Sequence, residues 1–304
     1  MNVAQLAAFV RLSRFKFLAG GFIGGAFGTA IAAYERGVVD WLAYALAQVT
    51  ITGAHLMTQY ANEYFDRESD ALTTRTAFSG GSGALVDGSL QPRVALLASL
   101  CCLLVSCAGA FALLARGHGV AALLGCLCLA LAWAYSAPPF RLLALGLGEL
   151  DTALVVAILV PLCAYAAQAG TLDARAIAST LPAAAAMFAM MICVEVPDRV
   201  ADAATGKRNL VVRYGVRAAT TLGIAASAAA IPAIGAATFA GAPRAYALLE
   251  MIAIVPIVWL GIALVRLRSG DAIPNETVAG RGVYAFVCVG ILGVLGYAGA
   301  AHAP

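Results

Sequence analysis

The chain has 304 residues, of which 62% are hydrophobic and only 12% charged, with a formal net charge of +3. That apolar excess excludes a water-soluble globule. The basic residues are scattered through predicted loops and form no stripe, which argues against nucleic acid as a partner.

Apolar runs long enough to cross a bilayer lie at about 17–34, 41–64, 94–115, 119–135, 150–170, 176–196, 218–240, 245–265 and 282–301. The fourth is short and the seventh carries Pro232, so eight crossings is the alternative count. The runs follow one another almost without pause, which predicts an all-α, polytopic membrane bundle forming a single domain over 1–304. With nine crossings, Arg36, Arg116, Arg175 and Arg244 fall on one side, and the other fifteen of the 19 Lys and Arg residues fall opposite. The positive-inside bias then places the N-terminus in the cytoplasm, and a bacterial inner membrane is the expected location. The first run is a full-length span without a credible cleavage site, so no cleavable signal peptide is expected.

In the first span, Gly20, Gly21, Gly24, Gly25 and Gly28 make overlapping small-xxx-small steps, the pattern of close helix packing. In the second, Thr52, His55, Gln59, Asn62 and Asp66 follow steps of three and four and form one polar stripe. Polar groups facing lipid are costly, so the stripe should face the bundle interior or a cavity. For His55 alone, the plainer account is a buried histidine bonded to a neighbouring helix.

Asp70 extends the stripe to Asn62-x-x-x-Asp66-x-x-x-Asp70, and a second acidic row, Glu195, Asp198 and Asp202, ends the sixth span. Carboxylates about 5–6 Å apart on one helix face repel by about 2–3 kcal/mol per pair at an effective dielectric near 20. That cost is acceptable where a divalent cation sits among them, and oxygen-only ligands suit Mg²⁺, which completes its shell with phosphate oxygens. The two rows therefore predict a magnesium–diphosphate site at a membrane surface.

Three cytoplasmic loops add to it. Arg75 to Gly83 carries a Gly/Ser run, either a flexible connector or a nest that turns backbone N–H groups toward an anion. Tyr135 to Arg141 contains Pro138-Pro139, which stops a helix and is expected to hold Arg141 at the site's mouth. Lys207, Arg208 and Arg213 follow Asp202 closely enough to neutralise a diphosphate, although anchoring on the positive side explains some of them. Glu250, six residues after Arg244, reads as a snorkelling side chain near the outer face. The eight cysteines all lie in predicted spans without metal-site spacing and read as small packing residues.

The stretch Asn62-Glu63-Tyr64-Phe65-Asp66-Arg67-Glu68-Ser69-Asp70 resembles the first signature of the UbiA superfamily of intramembrane prenyltransferases. Asp198-Arg199-Val200-Ala201-Asp202, Gly206-Lys207-Arg208 and Val212-Arg213-Tyr214-Gly215 resemble the second, and Tyr135 to Arg141 with Gly146 and Gly148-Glu149 resembles the middle loop. The resemblance implies Mg²⁺-dependent transfer of a prenyl group from an allylic diphosphate to an aromatic or other lipophilic acceptor, inside a bundle whose cavity opens to the cytoplasm. It implies metal binding by Asn62, Asp66, Asp70, Asp198 and Asp202. Lys207, Arg141 and Arg213 would hold the diphosphate, with Asp66, Asp198 and Lys207 central to catalysis. His55, Gln59, Glu63, Tyr135 and Glu195 are candidates for the cavity or acceptor, and His55 and Glu63 for the base.

The loop Phe78 to Leu85 looks closest to the 1,4-dihydroxy-2-naphthoate prenyltransferase branch of menaquinone synthesis. Phe15 after Arg14, Glu195 and Pro197 before Asp198, and Leu143 with Ala144 after Arg141 depart from that branch. These departures spare the diphosphate machinery and bear on the acceptor. A membrane terpene cyclase of the same superfamily would ionise the same substrate and close the cation on itself. A transporter with intramembrane acids is a third reading, but the motifs recur at an even offset of spans, on one membrane face, rather than meeting near the midplane.

Overall fold

The computed structural model describes residues 2–271 and 273–301. All regular structure among them is helical. A short helix α1 (Val3–Leu12) opens with a capping box between Asn2 and Gln5. Long helices follow: α2 (Ala19–Arg36), α3 (Trp41–Asp70), α4 (Pro92–Ala115) and α5 (Gly119–Ser136). Next, α6 (Gly148–Leu154) runs through a π-turn (Val155–Leu159) into α7 (Val160–Ala169). The chain continues as α8 (Ala174–Glu195), the short α9 (Arg199–Ala204), α10 (Leu210–Phe239), α11 (Arg244–Ser269) and α12 (Asn275–Ala301).

Among the described residues, eight helical stretches are long and apolar enough to cross a membrane, which makes this a multi-pass membrane bundle. The ninth long helix, α3, falls short on apolarity because it carries the polar stripe, yet its 30 residues reach about 45 Å. It lies antiparallel to α4, where Ser99 and Ser106 donate to the carbonyls of Met57 and Thr50 at 2.9 and 2.8 Å. Asp40 caps its start by accepting from the N–H groups of Leu42 and Ala43.

The glycine-rich α2 serves two partners. Gly24 and Gly28 face α7, where a Cβ on Gly28 would fall inside the carbonyl of Pro161. Gly21 and Gly25 face α3, against His55 and Gln48. The π-turn has a local cause: Pro161 lacks the N–H that would bond back to Ala157, so the helix widens ahead of it. Helix α8 packs on α10 and α12, and α12 returns to α2, closing a ring. On the side away from the acidic motifs, Phe27 stacks on Tyr246 and meets Tyr297 edge-on, and the Tyr297 hydroxyl lies 2.6 Å from Ser179 Oγ.

Two expectations change. The second acidic row does not lie on one helix: α8 ends at Glu195 and Asp198 opens α9, because Pro197 has no N–H to continue the ladder. Glu250 does not snorkel; it is 1% exposed beside Gly293, and neither carboxylate oxygen has a partner among the described residues.

Candidate active site

One cavity of about 340 Å³ lies inside the ring, lined by α2, α3, α5, α6 with its π-turn, the start of α7, α8, α9 and α12, and by the loops that carry Arg14, Gly80 and Lys207. Helices α4, α10 and α11 contribute no lining residue. Its walls change character with depth. At one end stand Asn62, Asp66, Asp70, Asp198, Asp202 and Lys207; toward the other the lining is Ile51, Val156, Val160, Met187 and Phe286.

The polar end is a connected chain of side chains. Lys207 Nζ lies 2.8 Å from Asp66 Oδ2 and 3.4 Å from Asp202 Oδ1, and its side chain is 8% exposed. Asn62 Nδ2 donates to Asp66 at 2.5 Å and to Ser136 Oγ at 3.1 Å. Asn209 donates to Asp202 at 2.9 Å while its own Oδ1 accepts from Val212 N, so one residue caps α10 and steadies a site carboxylate. Lys207 is placed there by the turn after α9, in which its N–H donates to the Asp202 carbonyl.

Charge is crowded at this end. Burial, then the neighbouring Asp202, pushes the Asp198 carboxyl up to about 6. Burial also raises Asp202 above its ordinary range, against the pull of Lys207. For Lys207, burial opposes the charge, but Asp66 and Asp202 win and hold its ammonium above the usual lysine value.

The Gly/Ser loop folds over the same end. Ser79, Gly80 and Gly81 line the cavity. Gly80 (φ 78°) and Gly81 (φ 64°) sit in the left-handed region, and a Cβ on Gly81 would strike the Asp70 carboxylate. Glu63 pins this loop, accepting from Ser82 N at 2.6 Å and from Ser82 Oγ at 2.7 Å, with Arg14 at 3.7 Å. Arg14 adopts φ 44°, which turns the chain out of α1 and sets its guanidinium over Phe17.

Of the residues singled out in the sequence, His55, Gln59, Asn62, Asp66, Asp70, Tyr135, Glu195, Asp198, Asp202 and Lys207 line the cavity. Three do not. Glu63 is committed to the loop and is no candidate for the base. Arg141 is solvent-exposed and off the lining. Arg213 donates to the Leu145 carbonyl and stacks on Tyr214, so spacing near Lys207 did not bring it inward. The structure adds Arg14, Lys16 and Asp151. Arg14 and Lys16 had counted only toward topology. The signal for Asp151 was an acid inside an apolar run.

The UbiA prenyltransferase family profile matches residues 22–279. The chain belongs to this family. Solved UbiA relatives share the fold at low identity. A structure of digeranylgeranylglyceryl phosphate synthase is 15% identical with a TM-score of 0.68, covering 97% of this chain and 99% of its own. A UbiA homologue from Archaeoglobus fulgidus bound to DMAPP and Mg²⁺ is 18% identical, with a TM-score of 0.66 and coverage of 93% and 99%. An apo UbiA homologue from Aeropyrum pernix K1 is 18% identical, with a TM-score of 0.69 and coverage of 90% and 96%. No curated protein matches the chain in sequence.

Proposed function

We propose that this UbiA-family protein transfers a prenyl group from an allylic diphosphate to an electron-rich aromatic acceptor, with Mg²⁺ as cofactor. The supporting observation is one buried polar end, Lys207 between Asp66 and Asp202 with Asp198 beside them, on an otherwise apolar cavity. The A. fulgidus relative was solved with an allylic diphosphate and Mg²⁺, and the same pair suits this cavity's two-ended character. The loop Phe78 to Leu85 points to a quinone precursor such as 1,4-dihydroxy-2-naphthoate as acceptor. The fifteen-to-four distribution of cations supports a polar mouth on the cytoplasmic side.

The donor set fits Mg²⁺. Asn62, Asp66, Asp70, Asp198 and Asp202 can offer oxygen ligands, and Asp198 Oδ1 is buried without a partner among the described residues. No three acids among the described residues converge on one point. That suits an ion that keeps few protein ligands and takes the rest from water and phosphate. When bound, Mg²⁺ neutralises charge on the departing diphosphate. Lys207, and Arg14 and Lys16 at the same mouth, add fixed positive charge as the allylic C–O bond breaks and its electron pair leaves on the diphosphate. The methionine- and valine-lined end holds the isoprenoid tail and excludes water from the allylic cation. A ring carbon then bonds to the allylic carbon, and loss of its proton restores aromaticity.

The test is purified protein in nanodiscs with labelled prenyl diphosphates of several lengths and a panel of quinone precursors. A prenylated ring should form, vanish with EDTA and return with Mg²⁺. Undiminished turnover without metal would reject the site. A cyclic hydrocarbon formed without acceptor would replace transfer with cyclisation.

A further inference from the structure

The apolar end of the cavity has a floor, and two side chains make it. Val156 and Phe286 line the main cavity and also line a second, smaller void beyond it. No other described residue lines both. A Cβ on Gly20 would lie 3.5 Å from Val156 Cγ1 and 3.7 Å from Phe286 Cε1, so α2, the π-turn and α12 close on one point there as a collar. Gly24, Pro161 and Gly290 line the void, each about one turn further from the acidic motifs than Gly20, Val156 and Phe286. The void has about 10 Å³, room for about one water-sized sphere.

The collar's depth follows from the next residue of α2. A Cβ on Gly21 would lie 3.2 Å from His55 Nδ1, and the helical rise from His55 to Asp66 puts that level about 16 Å from Asp66 along α3. An isoprene unit adds four chain bonds of about 1.5 Å and extends about 5 Å, so roughly three units reach the collar. Volume agrees. An apolar cavity of about 150 Å³ holds benzene, roughly 25 Å³ per carbon. The main cavity, at about 340 Å³, then holds roughly 14 such atoms. Phe286 is 6% exposed and belongs to a cluster with Ala157, Ala183, Met187 and Val289. An interior packed in this way yields little to a fourth unit.

We propose that Phe286 and Val156 set the length of the prenyl donor, and that the donor carries no more than about three isoprene units. This rests on the prenyl-transfer reading above. One methylene too many in a closed apolar pocket already lowers binding by about tenfold or more.

The experiment measures dissociation constants for dimethylallyl, geranyl, farnesyl and geranylgeranyl diphosphates by thermal shift, in Mg²⁺ and without acceptor, so that no transfer step intervenes. The wild type should bind the farnesyl chain at least about tenfold more tightly than the geranylgeranyl chain. Phe286→Ala joins the two spaces and should abolish or reverse that preference. Gly20→Ala adds a methyl to the collar at ordinary contact distance and should weaken farnesyl relative to geranyl binding about tenfold. Equal wild-type affinity for the farnesyl and geranylgeranyl chains, or an unchanged ratio in Phe286→Ala, would overturn the collar alone, since a tail that leaves sideways into lipid meets no floor. A wild type protected by none of the four diphosphates overturns the transfer reading and the collar with it. If Phe286→Ala fails to fold, Phe286→Leu and Gly20→Ala decide by the same ratios.

Discussion

Lys207 carries the site's charge balance, since its ammonium is the group between Asp66 and Asp202. Lys207→Met would strand two buried carboxylates, and breaking such a pair costs about 3–5 kcal/mol. A thermal-shift measurement should show a large drop in Tm, partly recovered by Mg²⁺, together with lost turnover; an unchanged Tm would contradict the pairing. Asp198→Asn should behave oppositely toward stability. It removes a charge that burial disfavours, so the metal-free Tm should rise by a few degrees while turnover collapses. Asp66→Asn should lose turnover to a similar extent, and the double variant should be scarcely worse than either single one. Strictly multiplicative losses would mean the two rows act separately. At the opposite end of the bundle, Glu250 lies beside Phe27, Tyr246 and Gly293 with no partner among the described residues. Replacing it with an apolar residue of similar size removes a desolvation cost. Glu250→Met should raise Tm by a few degrees with turnover intact, and a lower Tm would show that the carboxyl has a partner in the membrane.

Individual helices show which parts of the fold were legible beforehand. The α3 stripe could be read because steps of three and four on an unbroken helix fix one face, whatever packs against it. The α2 glycines could be read as packing residues for the same reason, and Gly28→Ala checks it. Overpacking against a backbone carbonyl should cost about 1–3 kcal/mol, measured as a lower unfolding temperature in detergent. A silent Gly28→Ala would mean that α2 and α7 stand further apart. Three features could not be read. Pro197 splits the second acidic row between α8 and α9, so its steps of three and four did not lie on one helix. Arg141 sits in a loop and Arg213 in the first turn of α10, where chain proximity to Lys207 sets no side-chain direction, and neither lines the cavity. Asp151 lines the wall from α6, and an isolated acid in an apolar run does not say which helices become its neighbours.

For the molecule as a whole, the multi-pass helical bundle could be read because bilayer thickness acts on composition alone. The cavity could not, because it is a property of which helices become neighbours. Only part of the ring walls it, and the segments that do come from both ends of the chain. The polar end divides the same way. Asn62, Asp66 and Asp70 precede the turn at Gly170–Asp173, whereas Asp198, Asp202 and Lys207 follow it. That turn lies at the face opposite the acidic motifs, between α7 and α8. The enzyme is thus a seam between two hydrophobic half-chains, neither of which owns a complete reaction centre. A gene cut at this turn should yield two inert polypeptides that regain prenylation when co-expressed in one membrane, and ribosomes would finish most of the protein before any of it could react.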